Sequence, residues 1–265
     1  MRLDYGSQLS PYPLELSIGT LLKPKLSDIA KITFDKFNYF EVLITLTPEL
    51  YFSSFADDAG MEYWSELSDD EKSEISIYDI IINNDALKDL FLEIFNFFFQ
   101  QTVIFREGYF VILDTLETNI FDLEEVDIKG VISKDNISEV LNVLAQICCI
   151  NEENDEEPNA KFKNALAEKL FKRMKAAKKA EKKKNDKNYT IPNLISAVSN
   201  RHPSITPTSV WDLTVFQLLD SFQRLQTNSI YDIDITRVSV WGDEKGAFDA
   251  ALWYKNQYES NSRSN

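Results

Sequence analysis

Histidine occurs once in these 265 residues, cysteine twice and glycine seven times. Such scarcity removes whole classes of chemistry. A zinc site needs clustered Cys and His, and His202 with the adjacent pair Cys148 and Cys149 does not supply one. A hydrolase triad needs a base, yet His202 stands between Arg201 and Pro203 at a predicted helix end, where interaction with the helix dipole is the expected role. The glycines are isolated at turns, so no phosphate-binding loop is formed. Cys148 and Cys149 lie side by side on an apolar helical face, an arrangement that disfavours a disulfide between them and reads as buried small hydrophobes. Asp69-Asp70-Glu71 lacks the alternation and central glycine of a calcium loop and reads as a solvated helix start. No run of about 18 apolar residues is present to span a bilayer, and no signal peptide opens the chain, so the cytoplasm of the producing cell is the expected location. No catalytic residue, metal ligand or cofactor is assigned, and an enzyme is not expected.

What the chain has is charge, unevenly placed. The formal net charge is −15, which opposes general affinity for nucleic acid or anionic lipid. Residues 1–157 carry −22, whereas residues 161–187 hold 12 Lys/Arg against 3 Asp/Glu and carry +9. An acidic run from Asn151 to Glu157 therefore passes into a lysine-rich stretch. This segment divides the chain into an acidic first domain (1–150), a charged linker (151–188), a second domain (189–258) and a polar tail (259–265). A chain of this length buries roughly 70–75% of its unfolded surface, enough for one or two cores.

In the first domain, Gly6, Pro11, Pro13, Gly19 and Pro24 predict an extended or turn-rich opening, with Leu14, Leu16 and Ile18 alternating as in a short strand. Helical spacing begins at Thr33, and Pro48 starts a further helix behind Thr47. Ser68 and Glu71 match a capping box, and helices follow from Ser68, Ser76 and Asn84. The stretch 85–99, with Leu87, Leu90, Phe91, Ile94, Phe95, Phe97, Phe98 and Phe99, is apolar nearly all round towards its end and is predicted to be the central core helix, although the same residues would also suit a groove for an aromatic ligand. Val103–Phe105 and Tyr109–Leu113 around Arg106-Glu107-Gly108 predict a β-hairpin with positive φ at Gly108. A two-stranded hairpin is marginal alone, so it is expected to pack on helices or pair with the N-terminal arm. A helix over 135–149 ends the domain.

Residues 159–184 have strong helix propensity. Phe162, Leu166, Leu170 and Met174 step by four, after which Lys175–Lys184 is expected to project into solvent or meet an acidic surface. Thr190-Ile191-Pro192 then starts a short helix, broken at His202-Pro203. A helix over 207–226 is predicted to bury Trp211, Val215, Leu218, Phe222 and Leu225 on one face. Residues 229–240 fit either helix or strand, Trp241-Gly242-Asp243 reads as a turn, and a last helix is predicted over 246–258. The fold class is thus mainly α (α+β): a helical N-terminal domain with a small hairpin, a charged linker helix and a small helical C-terminal domain.

Two function classes fit these features. The first is an interaction protein that holds partners through surface aromatics such as Trp64, Trp211, Trp241 and Trp253. The second is a nucleic-acid module that sets Lys172–Lys187 against phosphates, with binding that weakens as salt rises. The basic helix lacks interleaved aromatics for base stacking, and residues 188–265 add −2, which favours the first class. The tentative contact residues are Trp211, Trp241 and Trp253, with Lys178, Lys179, Lys182, Lys183 and Lys184.

Several segments carry a family resemblance: Leu9-Ser10-Pro11-Tyr12-Pro13-Leu14, Ile18-Gly19-Thr20 and Lys23-Pro24, then Ile191-Pro192-Asn193-Leu194-Ile195-Ser196-Ala197-Val198, Val210-Trp211-Asp212-Leu213-Thr214-Val215-Phe216-Gln217-Leu218 and Val240-Trp241-Gly242-Asp243. With them the chain resembles the tail assembly chaperones encoded beside the tape-measure gene in long-tailed phages and prophages of Gram-positive bacteria. The resemblance spans most of the chain. It implies a protein of the bacterial host cytoplasm that binds the long hydrophobic helices of the tape-measure protein until tail-tube subunits polymerise around them, with no membrane partner and with self-association open. Such chaperones often occur as a short and a frameshifted long form, whereas both bodies here lie in one continuous chain. A structural virion component, a tail or baseplate adaptor, is the competing assignment.

Overall fold

The computed structural model describes residues 1–54, 56–115, 127–150, 188–243, 246 and 248–256. The fold is mainly α with two small sheets. The chain divides into two compact units, Met1–Ile150 and Asn151–Asn265. The acidic run, the predicted linker helix with its five lysines, and the tail 259–265 lie outside the described residues.

The first unit opens with a short helix, α1 (Tyr5–Leu9), capped by Asp4, whose carboxylate accepts from the Ser7 amide at 2.8 Å. The extended or turn-rich expectation for residues 1–26 is corrected over Tyr5–Leu9 alone, because this cap stabilises one helical turn before Pro11. Strands β1 (Leu14–Leu16) and β2 (Gly19–Leu21) form an antiparallel hairpin. Lys23 is buried, and its ammonium donates to the Ser7 and Ser10 carbonyls, tying the exit of α1 to the end of the hairpin. Burial pulls the Lys23 pKa below the usual lysine range, while Asp4 pushes it back up.

Helices α2 (Leu26–Ile32), α3 (Phe34–Ile44), α4 (Pro48–Ser54), α5 (Asp58–Glu66), α6 (Asp69–Glu74), α7 (Ile77–Asn83) and α8 (Asp85–Phe98) follow. The starts of α3 to α8 are set by side-chain caps at Thr33, Thr47, Asp57, Ser68, Ser76 and Asn84. At Ser68 the box is reciprocal: the Glu71 amide donates to Ser68 Oγ at 3.3 Å, and the Ser68 amide donates to the Glu71 carboxylate at 2.8 Å. Each such cap satisfies amides that the first turn of a helix leaves without partners.

Helix α8 is central. Phe91, Ile94, Phe95 and Phe98 on it are fully buried, and Phe95 meets the Phe110 ring edge-on at 5.0 Å. Phe110 belongs to a three-stranded antiparallel sheet of β3 (Val103–Arg106), β4 (Tyr109–Leu113) and β5 (Ile128–Ile132), in the order β3-β4-β5. The predicted hairpin is present and turns at Glu107-Gly108, both at positive φ (51° and 83°). Its partner is β5 rather than the N-terminal arm. A Cβ added at Gly130 would lie 2.3 Å from the Ile18 carbonyl oxygen, so the β1–β2 turn rests directly on β5 where only glycine fits. Just past the hairpin, the Leu22 amide donates a hydrogen bond to the Phe98 carbonyl of α8 at 2.7 Å.

Helix α9 (Ile137–Ile147) closes the unit. Its Gln146 side chain accepts from the Leu3 amide at 2.7 Å and donates to the Met1 carbonyl at 3.0 Å, fixing the chain start to this helix.

The second unit contains α10 (Ile191–Arg201) and α11 (Val215–Trp241), packed on each other, with a 3-10 turn at Ser209–Asp212 between them. Leu194, Ile195, Val198, Val210, Val215, Phe216 and Leu218 are its buried apolar residues. Two expectations are corrected. The helix read over 207–226 begins at Val215, because Thr214 and Gln217 form a capping box: the Thr214 amide donates to Gln217 Oε1 at 3.0 Å and the Gln217 amide to Thr214 Oγ1 at 3.3 Å. Trp211 therefore sits in the preceding 3-10 turn and does not share a helical face with Phe222, and both are half-buried rather than core. The last helix read over 246–258 is, among the described residues, a 3-10 turn at Leu252–Tyr254.

Candidate interaction surface

Helix α11 has 27 residues and is therefore about 40 Å long. Its two halves live in different surroundings. The first half packs on α10, and that contact ends near Ser229, whose hydroxyl accepts from the Arg201 guanidinium at 2.7 Å. Beyond that point the chain returns along one side of the helix. Gly242 leaves α11 at φ 78°, the Phe248 amide donates to the Asp243 carboxylate at 3.0 Å, and the Phe248 ring lies 5.6 Å from Tyr231. Arg224 then donates to the carbonyls of Trp253 (3.3 Å) and Lys255 (2.7 Å), fastening the returning segment to the first half.

The returning segment covers the side of α11 that carries Thr227, Tyr231, Asp234 and Val238, which are buried or half-buried. The adjacent side carries Ile230 (54% exposed), Ile233 (68%), Val240 (65%) and Trp241 (79%). At 100° per residue these four, with Gln226 and Arg237, fall within one stripe about 100° wide. Among the described residues, seven of the seventeen most exposed large hydrophobic side chains lie between Ile230 and Tyr254, so the exposure is concentrated here.

Few polar groups interrupt the stripe. Ser229, Thr236 and Ser239 each donate their hydroxyl at 2.7 Å to the carbonyl four residues back, spending these donors inside the helix. Arg237 pairs with Asp234 at 3.3 Å. A stripe about 100° wide that is mostly apolar and low in charge suits burial against another apolar helix.

The residues read from sequence fall apart on this surface. Trp241 ends the stripe, and Trp253 is exposed on the 3-10 turn beside Tyr254. The Trp253 carbonyl is held by Arg224, which lies 17 residues before Trp241, about 25 Å of helix axis. Trp211 precedes α11 and is half-buried. Trp64, in the first unit, is half-buried as well, stacked on Phe52 at 4.8 Å with Lys72 over its ring. Lys178, Lys179, Lys182, Lys183 and Lys184 lie outside the described residues.

Ile230, Ile233 and Val240 were not singled out by sequence. The signal was the alternation Ile230-Tyr231-Asp232-Ile233-Asp234-Ile235, which fits a strand. Folded as a helix, a period-2 pattern spreads its apolar residues around the axis, so that one side stays open.

The other groups with altered chemistry belong to the first unit. Burial pushes the Glu41 carboxyl up to about 7, and burial together with the neighbouring Glu41 pushes the Cys149 thiol up to about 12 and the fully enclosed Cys148 thiol well above its ordinary value. Such thiols hold little thiolate at neutral pH and are poor nucleophiles. His202 stands at the C-terminal end of α10, as expected, and its Nδ1 accepts from the amides of Ser204 (3.2 Å) and Ile205 (3.1 Å) in the turn that follows. Among the described residues no group of three or more His, Cys, Asp or Glu is placed to hold a metal ion, and no helix is long and apolar enough to cross a membrane.

The stripe and the returning segment coincide with a recognised domain. Residues 181–258 match the family model of the YomV second domain. The match covers less than a third of the chain and makes this part similar to a phage-type protein family. No curated protein and no solved structure matches the chain. The YomV-like region thus takes in α10, α11 and the returning segment, the elements that build the exposed stripe.

Proposed function

We propose that this protein is a non-enzymatic chaperone of phage tail assembly that binds apolar helices of the tape-measure protein in the host cytoplasm and keeps them soluble until the tail tube forms around them. The exposed stripe Ile230, Ile233, Val240 and Trp241 on α11 carries this reading, because a helix of the client covers it in the same way that helix-in-groove partners cover theirs. The phage-type match of the same region supports the biological setting, as does the resemblance carried by the N-terminal and C-terminal segments. The activity needs no nucleotide or metal.

Co-expression tests the reading. Soluble yield of tape-measure fragments rises with this protein present, and equal yield with and without it contradicts the proposal. Mass spectrometry of purified virions beside infected-cell lysate separates the chaperone, present in lysate only, from a tail or baseplate component, present in particles at fixed stoichiometry. Replacing Lys178, Lys179, Lys182, Lys183 and Lys184 by Gln removes five positive charges at nearly constant helix propensity. Loss of solubilising activity in that variant assigns the basic segment a role in meeting acidic surface, of the client or of this protein's own first domain, and full activity removes that role.

A further inference from the structure

We propose that in the absence of a client the stripe of α11 is covered by the α11 of a second copy of this chain, the two helices running antiparallel. Gln226, Ile230, Ile233, Arg237 and Val240 follow one another at intervals of four, three, four and three residues, the period of a coiled-coil seam. The side occupied by the returning segment is turned about 100° away, so the seam remains open to a partner.

Charge selects the occupant and its direction. Arg237 stands within the seam, beside Asp234 on its own helix. In a parallel pair each Arg237 meets its own copy, placing like charges together at a desolvating position. In an antiparallel pair centred between Ile233 and Arg237, Ile230 lies against the second copy's Val240, and Arg237 lies against the second copy's Ile233 and beside its Asp234. Each guanidinium then has a carboxylate from both chains. Residues 226–241 carry only Asp232, Asp234 and Arg237 as charges, so this segment approaches its copy nearly neutral although the chain as a whole carries −15.

Size sets the strength. The four apolar side chains bring together roughly 1,000 Å² over both copies, at the lower edge of a specific interface. Two heptads of seam make a dimer that forms and dissociates with concentration, and that a longer client helix can displace.

Sedimentation of the purified full chain reads this directly. The apparent mass moves from 30.6 kDa toward twice that value as concentration is raised, and a single-chain mass at every concentration overturns the proposal. Ile233→Asp, at an exposed position, keeps the helical circular dichroism and stays monomeric; a dimer unchanged in this variant overturns the seam. Arg237→Asp weakens association and the exchange Asp234→Arg with Arg237→Asp restores it, whereas equal weakening by both contradicts the charge pairing. Under mild oxidation Ile230→Cys with Val240→Cys gives a cross-linked dimer joined between these two positions by peptide mapping. Cross-linking of Ile230→Cys alone to its own copy overturns the antiparallel direction.

Discussion

The first unit and the second half of α11 spend similar residues in opposite ways. In the first unit Phe37, Phe40, Phe91, Phe95, Phe98 and Phe110 are enclosed from every side by helices, the sheet and the N-terminal hairpin. On α11 Ile230, Ile233, Val240 and Trp241 are exposed, while the returning segment fastened by Arg224 lies along the adjacent side. Apolar area hidden in a core stabilises the fold, whereas the same area left open stabilises nothing until something covers it. The first unit is therefore held by its own packing, and the stripe leaves its apolar area uncovered.

Mutation makes that contrast measurable. Phe95→Ala, in the centre of α8, leaves a cavity and is expected to cost about 3–5 kcal/mol in a urea or thermal melt of the first unit. A loss below about 1 kcal/mol contradicts its central position.

Glu41 gives the next largest effect, through pH. Its carboxyl is held up to about 7 in the folded state against an ordinary 4.5, so the folded chain binds this proton more tightly than the unfolded chain. The resulting stabilisation is full below pH 4.5 and is lost as pH rises toward 7. Glu41→Gln should thus gain about 1–2 kcal/mol relative to wild type between pH 5 and pH 8, a figure reduced for the partial exposure of the side chain. Parallel pH profiles of the two proteins contradict it.

At the start of α11, Thr214→Ala removes one arm of the capping box with Gln217 and is expected to cost about 1 kcal/mol. The smallest effect belongs to the stripe: Ile233→Ala should change stability by less than about 0.5 kcal/mol, since the side chain is mostly in water. A loss as large as that of Phe95→Ala erases the distinction between scaffold and surface.

Local chemistry made much of the fold legible. The caps at Thr47, Ser68, Ser76, Asn84 and Thr190, the hairpin turn at Glu107-Gly108 and the apolar period of α8 each depend on residues a few positions apart, and each stands in the structure as read. What depended on distant contacts did not show. Strand β5 is short and interrupted by Gly130, a residue that weakens a strand signal and is explained only by the Ile18 backbone lying over it. Trp211 continues the apolar spacing of α11, but the Thr214 cap starts that helix three residues later and leaves Trp211 in the preceding 3-10 turn. Of the exposed stripe, sequence singles out Trp241 and passes over Ile230, Ile233 and Val240, because alternation points equally to a strand and only the continuation of α11 decides for helix.

Co-expression of tape-measure fragments with the wild type and with the Ile233→Asp/Val240→Asp variant tests the central claim most directly. Both substitutions lie on exposed positions, so the variant folds. The account predicts that the wild type raises the soluble yield of the fragments and that the variant leaves it at the level seen with no partner; a variant that solubilises them as well as the wild type contradicts the assignment of this stripe as the client-binding surface.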